Sequence, residues 1–149
     1  MKALIVYQSI HHNNTYQVAE RMAGVLGARL VKPEELDLSR IGDYDLVGLG
    51  SGIYHGQHHI ALRDLVKKML TEKPIDFFVF STSGTGKSKY NKELKELLVS
   101  RGHRVIGEFS CRGWDTYGPW KYLGGLSRKH PDKKDLIKAE EFAKNLIDK

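Results

Sequence analysis

Apolar residues come in short runs, and the spacing inside those runs switches between two patterns along the chain. Residues 2–7 (KALIVY) are almost continuously apolar and β-branched, as in a strand buried on both faces. In the next stretch, 15–26, Val18, Ala19, Met22, Ala23 and Leu26 recur at helical spacing, with Gly27 placed to stop the helix. The pattern then predicts a short strand over 28–32, a connection with one helical turn over 33–42, and a third strand over 44–50. After the glycine-rich turn 51–56, Leu62, Leu65, Val66 and Met69 form one stripe and predict a helix over 58–70. A fourth strand over 75–80 runs into STSGTG (81–86). A helix over 88–100 carries Tyr90, Leu94, Leu97 and Leu98, and a fifth strand follows over 104–110. An irregular loop, 111–125, precedes a last helix capped by Asp132, with Asp135 three residues on and Ala139, Ala143 and Leu146 turned inward.

Strands that alternate with helices predict an α/β fold: one five-stranded parallel sheet with helices on both faces, forming a single domain over 1–149. No linker, internal repeat or low-complexity tract divides the chain. Ligands of such sheets bind beyond the carboxyl ends of the strands, where the strand order reverses. That edge would collect segments 8–15, 51–59, 81–90 and 111–118, so the site is expected there.

Composition narrows the function classes. The chain has 149 residues, enough to bury a core without disulfides or metals. Cys111 is the only cysteine, which excludes an internal disulfide and makes a reducing cytoplasm the expected compartment. No apolar run approaches the ~20 residues of a membrane span, and no leader pattern precedes the first strand. Lys and Arg outnumber Asp and Glu by 24 to 18, a formal charge of +6. Six of those cations lie between Arg112 and Lys134, facing only Asp115 and Asp132 in sequence. A basic surface suits acidic partners. No RNA-binding signature or zinc-finger spacing accompanies the charge, so nucleic acid is not expected.

The first loop carries the clearest chemistry. A strand that delivers a polar loop to a helix N-terminus aims backbone N–H groups and the positive end of the helix dipole at one spot. Ser9, Asn13, Asn14 and Thr15 add hydroxyl and amide donors there, and the combination suits a phosphate. The spacing Tyr7-x-Ser9-x-x-x-Asn13-x-Thr15, the glycine turn after the third strand and Ser81-Thr82-Ser83-Gly84 after the fourth resemble the flavodoxin family over the whole chain. The resemblance implies a three-layer fold with strand order 2-1-3-4-5 and FMN as cofactor. The loop Ser9, Ile10, His11, His12, Asn13, Asn14 and Thr15, one residue longer than the usual flavodoxin loop, would hold the 5′-phosphate, aided by the amides of His11 and His12. Ser51, Gly52, Ile53, Tyr54, His55 and Gly56 would run along the flavin ring, with Tyr54 stacked on it. Gly52 and Gly56 are candidates for a peptide that flips when the flavin is reduced. Ser81, Thr82, Ser83 and Gly84 would enclose the other edge of the ring by backbone contacts. Trp114 and Tyr117 are candidates to cover the flavin, Trp120 and Tyr122 to pack the loop onto the sheet, and Arg112 and Asp115 to brace it by a salt bridge.

Two other motifs compete. Gly84-Thr85-Gly86-Lys87-Ser88 ends like a nucleotide-binding P-loop, yet Ser81 stands where that motif needs its first glycine, and the stretch follows the fourth strand instead of the first. His55, His58 and His59, with His11 and His12, offer imidazoles but no carboxylate or cysteine at ligand spacing, so they are expected as surface histidines flanking an anionic cofactor, and no metal is expected. The reading that results is an FMN-binding electron carrier without catalytic residues of its own, serving redox proteins with acidic docking surfaces. The basic charge departs from the usual acidity of flavodoxins. Segment 50–68 also resembles flavodoxin-like protoporphyrinogen oxidases, which pass electrons to quinone, although their longer middle insertion is lacking. That enzyme is the alternative, and a flavodoxin-fold binding module without redox role is the second.

Overall fold

The computed structural model describes residues 1–10, 12–71, 73–115 and 125–148. Strand β1 (Ala3–Gln8) leads to helix α1 (Asn14–Leu26), β2 (Arg29–Val31) and two 3-10 turns, Pro33–Glu35 and Leu38–Asp43. Then come β3 (Leu46–Tyr54), β4 (Gln57–His58), α2 (Ile60–Lys68) and β5 (Asp76–Ser83). The 3-10 turn Ser88–Asn91, α3 (Lys92–Ser100), β6 (Arg104–Arg112) and α4 (Lys133–Ile147) complete the chain. The sheet order is β2-β1-β3-β5-β6, all parallel, with β4 folded back antiparallel on β3. β4 apart, this is the expected five-stranded order 2-1-3-4-5.

Alternation along the strands builds two cores. Leu4, Val6, Val47, Leu49, Phe77 and Val79 face α2 and α3, where Leu62, Leu65, Val66, Leu94 and Leu98 meet them. Ala3, Ile5, Leu46, Phe78, Phe80 and Cys111 share the opposite layer with Val18, Ala19 and Met22 of α1 and Ala139, Ala143 and Leu146 of α4. Burial, with smaller contributions from Asp135 and Asp132, pushes the Cys111 thiol up to about 12, so it stays a neutral apolar filler. The predicted helix ends hold. Gly27 stands left-handed at the end of α1, and Asp132 and Asp135 form a reciprocal capping box at the start of α4.

Two cross-strand pairs fix β3 against β5. Gly48 pairs with Phe78 and Gly50 with Phe80, and each ring lies where a glycine Cβ would stand, 2.2 Å from that position. In the next register step the sheet turns polar, as Gln8, Ser51, Ser81 and Ser110 line up across four strands.

Several element boundaries differ from the sequence expectation, among them the fifth strand, which runs on to Arg112, and the helix expected from 88, which starts at Lys92 after a 3-10 turn. β3 runs on through the expected glycine turn to Tyr54, and β5 runs on to Ser83, because the polar residues at both ends still complete backbone ladders with their neighbours. The only turn in 51–56 is a two-residue hairpin at His55 and Gly56, with φ of 52° and 79°, as primed hairpin turns require. The helix expected from 58 therefore starts at Ile60.

His58, expected at the surface, is buried beneath this hairpin, with Nε2 2.9 Å from the Phe80 carbonyl. His103 is buried at the other edge of the sheet, where its Nδ1 accepts the Ile75 N–H at 3.1 Å. Burial holds both below the usual histidine range, against partial opposition at His58 from the Phe80 and Tyr90 carbonyls and Glu93.

Gly50→Ala should drive a methyl into the Phe80 ring and cost about 1–3 kcal/mol in urea unfolding. Gly24→Ala, on an open helix face, should instead stabilise by about 0.5–1 kcal/mol. The buried histidines set a pH dependence. Their folded pKa values lie below the unfolded value of about 6.5, so the unfolded chain binds protons first as pH falls. Stability should be full above about 6.5 and fall below it, and in His58→Gln the fall should be shallower. Urea midpoints between pH 8 and 5 check the sign.

Candidate functional site

Where β1 ends, the chain must turn sharply to enter α1. His12 and Asn13 make that turn with φ of 55° and 56°, a left-handed conformation to which these residue types are suited. Asn13 takes the N-cap position but donates and accepts no capping hydrogen bond through its side chain. The Ser9 hydroxyl accepts the Tyr16 N–H at 3.3 Å, which closes the loop back on the helix. The positive end of α1 thus opens on a cleft lined by Ser9, Ile10, Asn14 and Thr15 on this side.

Across the cleft stand Gly52, Ile53 and Tyr54 from β3, Thr82 and Ser83 from β5, and Gly113, Trp114 and Asp115 after β6. Two bonds join the walls. The Thr15 and Thr82 hydroxyls lie 2.9 Å apart in a buried contact, and Asn14 Nδ2 donates to the Trp114 carbonyl at 2.9 Å. Gly113 makes the second approach possible, since a Cβ there would stand 2.7 Å from Asn14 Nδ2. The Trp114 ring stacks on His12, with centroids 3.7 Å apart and planes 21° apart, while the Arg128 guanidinium stands 5.6 Å from the ring. Trp114 therefore stands at the end of the cleft formed by the first loop.

The opposite end is built by the hairpin. The Tyr54 ring lies over Gly52, its hydroxyl 3.2 Å from where a Cβ would be, and its outer edge meets His59 at 5.3 Å. Burial, and then the Asp115 charge, raise the Tyr54 phenol above its usual range. Asp115 is held by two backbone hydrogen bonds with Leu126, of 2.8 and 2.6 Å, and its Oδ2 lies 3.0 Å from the Cβ position of Gly84. The three residues Gly113 to Asp115 thus span the cleft from the first loop to the hairpin.

Of the residues expected at the site, Ser9, Ile10, Asn14, Thr15, Gly52, Ile53, Tyr54, Thr82, Ser83 and Trp114 line this one cleft. His12 and Asn13 shape it from behind. Ser51 and Ser81 are fully buried in the polar row of the sheet, where the Ser51 hydroxyl donates to the Gly52 carbonyl and accepts the His59 N–H. His55 and Gly56 form the hairpin tip, and Gly84 backs onto Leu126 and Asp115. Gly52 lies in regular strand, so of the two candidate flipping glycines only Gly56 has positive φ. His11 and Tyr117, with Trp120 and Tyr122, lie outside the described residues. Gly113 is a lining residue that sequence reasoning missed, and Asp115, expected only to brace the loop with Arg112, lines the cleft as well. The one signal for Asp115 was its place beside Trp114 in a loop already assigned to the site edge.

The competing motifs have other structural uses. In GTGKS the Gly86 N–H donates to Ser83 Oγ at 2.9 Å, and the segment beyond it is a 3-10 turn where a P-loop would open directly into an α-helix. His59 Nδ1 caps α2 by accepting the Ala61 N–H, and burial keeps it below the usual histidine range. Among the described residues, one group with ligand-type side chains stands within cation-binding distance: His130, Asp132 and Asp135. They serve the start of α4, where Asp135 Oδ2 faces His130 Nδ1 at 2.6 Å and accepts the Asp132 N–H.

The fold and cleft have counterparts. An uncharacterised protein of Methanocaldococcus jannaschii is 43% identical over 149 residues, which is 99% of each chain. The structure of a flavodoxin from the domain Archaea is similar with a TM-score of 0.77 at 14% identity, covering 99% of this chain and 97% of that one. Fusobacterium nucleatum flavodoxin bound to flavin mononucleotide is similar with a TM-score of 0.69 at 12% identity, over 99% and 98%. At those identities the structural likeness speaks for the fold alone. The family model described as flavodoxin domain matches residues 4–113, which include β1 from Leu4 on, the first loop, the hairpin and Gly113. The chain belongs to the flavodoxin domain family.

Proposed function

We propose that this chain binds FMN in the cleft at the carboxyl edge of its sheet and carries electrons between redox proteins. The observation that carries the reading is the open N-terminus of α1, facing a cleft whose donors are Ser9, Asn14 and Thr15. Hydroxyl, amide and helix-dipole donors without a lysine or arginine among the described lining residues suit a phosphate held by oriented dipoles. Tyr54, half-buried at the other end, offers an aromatic face to a flat ring. The set fits FMN: a phosphate at one end, a planar conjugated system at the other. The Fusobacterium flavodoxin of like fold is bound to the same cofactor.

FMN held there supplies reversible one- and two-electron chemistry. The chain supplies the rest. Ser9, Asn14 and Thr15 orient the phosphate, Tyr54 and Trp114 exclude water from either end, and the hairpin of β3 and β4 places Gly56 where its backbone has freedom to turn. Among the described residues that line the cleft, no side chain is disposed as a nucleophile with a base, which suits a carrier more than an enzyme acting on an organic substrate. The formal charge of +6 favours acidic redox partners. No described helix is long and apolar enough to cross a membrane. A lone buried Cys111 suits a reducing cytoplasm, and the whole chain would act as one domain.

Ser9→Ala with Thr15→Ala removes two hydroxyls from the phosphate end, and hydrogen bonds to a charged group are worth about 1.5–3 kcal/mol each. Fluorescence titration should show at least tenfold weaker FMN binding with riboflavin affinity little changed, and equal weakening of both would place the phosphate elsewhere. A carrier should also pass electrons to redox proteins at rates that fall with salt. Protoporphyrinogen oxidation with quinone should proceed no faster with the protein than with free FMN. Saturable, protein-dependent porphyrin formation would favour the oxidase instead.

A further inference from the structure

We propose that the loops after β5 and β6 form the docking face for an acidic redox protein, with Lys87, Lys89, Arg112, Arg128 and Lys129 meeting its carboxylates. The inference rests on the carrier reading above and adds to it the side of the cleft on which the partner sits.

The placement follows from how charge is shared among the four segments at the carboxyl edge of the sheet. Segments 8–15 and 51–59, the first loop and the hairpin, contain no Lys, Arg, Asp or Glu. Segments 84–91 and 112–131 contain Lys87, Lys89, Arg112, Lys121, Arg128 and Lys129 against one acid, Asp115. Lys121 lies outside the described residues and enters only this count. With six of the 24 cations and one of the 18 acids, these two segments carry five of the six net positive charges. The rest of the chain, with 18 cations and 17 acids, is nearly balanced. The charge of the protein is thus gathered on the β5 and β6 side of the cleft mouth, and the β1 and β3 side carries none of it.

Contacts hold the two basic segments together beside the cleft. The Ser127 hydroxyl donates to the Gly84 carbonyl at 2.7 Å, and Arg112 Cγ lies 3.0 Å from where a Cβ of Gly86 would stand. Arg112 directly precedes Gly113 of the cleft wall, and the Arg128 guanidinium stands 5.6 Å from the ring of Trp114, another wall residue. Lys87, Lys89, Arg112, Arg128 and Lys129 are all exposed. Elsewhere cations are matched, Arg21 with Glu140, Arg63 with Glu93, Lys95 with Glu108 and Arg104 with Asp76. Among the described residues none of the five has such a pair. Charge of one sign beside a cleft steers an opposite surface to it and speeds encounter by about 10–10³-fold. A membrane would call for exposed apolar side chains beside the cations, and the described residues of these segments expose no large hydrophobic one. The face therefore suits the carboxylates of a protein.

The test uses FMN-loaded protein with an acidic two-iron ferredoxin as probe. It compares wild type, the pair Lys87→Glu and Lys89→Glu, and the pair Lys67→Glu and Lys68→Glu. Lys67 and Lys68 are exposed at the end of α2, which leads to the amino end of β5, so the second pair makes the same change in net charge far from the rim. Binding is read by titration and by carbodiimide cross-linking of lysines to carboxylates. Stopped flow follows one electron leaving the reduced ferredoxin for the bound FMN. Wild type should cross-link through Lys87, Lys89 or Lys129. The rim pair should weaken binding and slow transfer by about tenfold at low salt, and the loss should shrink as salt rises. The α2 pair should lose much less, and FMN affinity should be little changed in both. If wild type binds FMN and the two pairs affect ferredoxin alike, the docking face is wrong and the cofactor reading stands. Vesicles of phosphatidylglycerol are the rival probe. If the rim pair loses vesicle binding and keeps ferredoxin binding, the face belongs to a membrane and the proposal is overturned. If wild type takes up no FMN, the carrier reading falls and the proposal with it.

Discussion

The Phe78 and Phe80 rings occupy the space that Gly48 and Gly50 leave empty, and this packing sets β3 against β5 in one register. A strand that slips by one residue turns every side chain to the opposite face. Here a slip would put both rings into the α2 and α3 layer and leave two gaps beneath α1 and α4. The next two steps of the same ladder are the pairs Ser51 with Ser81 and Gly52 with Thr82. Register fixed by ring packing therefore delivers Thr82 to the level of Thr15, where their hydroxyls meet in a buried contact. The first loop, the hairpin and the loop after β5 reach one cleft because the glycines upstream have no side chains.

Electrostatics at that cleft are arranged in two halves. The half formed by the first loop has dipoles but no charged side chain among its described lining residues, with the α1 terminus uncapped by Asn13 and three small donors beside it. The other half has an aromatic ring and one carboxylate. Gly113 to Asp115 connect them, through Asn14 to the helix end and through Leu126 back to the body of the protein. A group with a phosphate at one end and a flat ring at the other meets complementary chemistry along the whole length. The same connection means that the phosphate end and the ring end are not independent, since Trp114 and Asp115 are neighbours in the chain.

Much of this was legible from residue patterns. Continuous apolar strands, helices at regular spacing, Gly27 as a stop and the Asp132–Asp135 cap all follow from local rules that tertiary packing did not overrule. The position of the site followed from the topology of a parallel sheet. The hairpin was missed because β4 pairs only two residues, too few for alternation to register, and because Gly52 looked like part of a turn when it serves as a strand residue beneath Tyr54. His58 was misread as a surface residue because histidine gives no sign of burial in sequence, and its place depends on distant backbone groups such as the Phe80 carbonyl. The place of Asp115 in the cleft wall was hidden for a similar reason. It depends on a backbone bridge to Leu126, eleven residues on, that no spacing rule anticipates.

The central claim is that the N-terminus of α1 receives the phosphate of FMN, and amide chemical shifts of isotope-labelled protein test it most directly. On titration with FMN the largest shifts should fall on the backbone amides of residues 13 to 16. Riboflavin, which keeps the ring and lacks the phosphate, should move Tyr54 and its neighbours in the hairpin while leaving those four amides nearly still. The account would be contradicted if FMN and riboflavin moved residues 13 to 16 alike, or if the phosphate-dependent shifts clustered at residues 84 to 88.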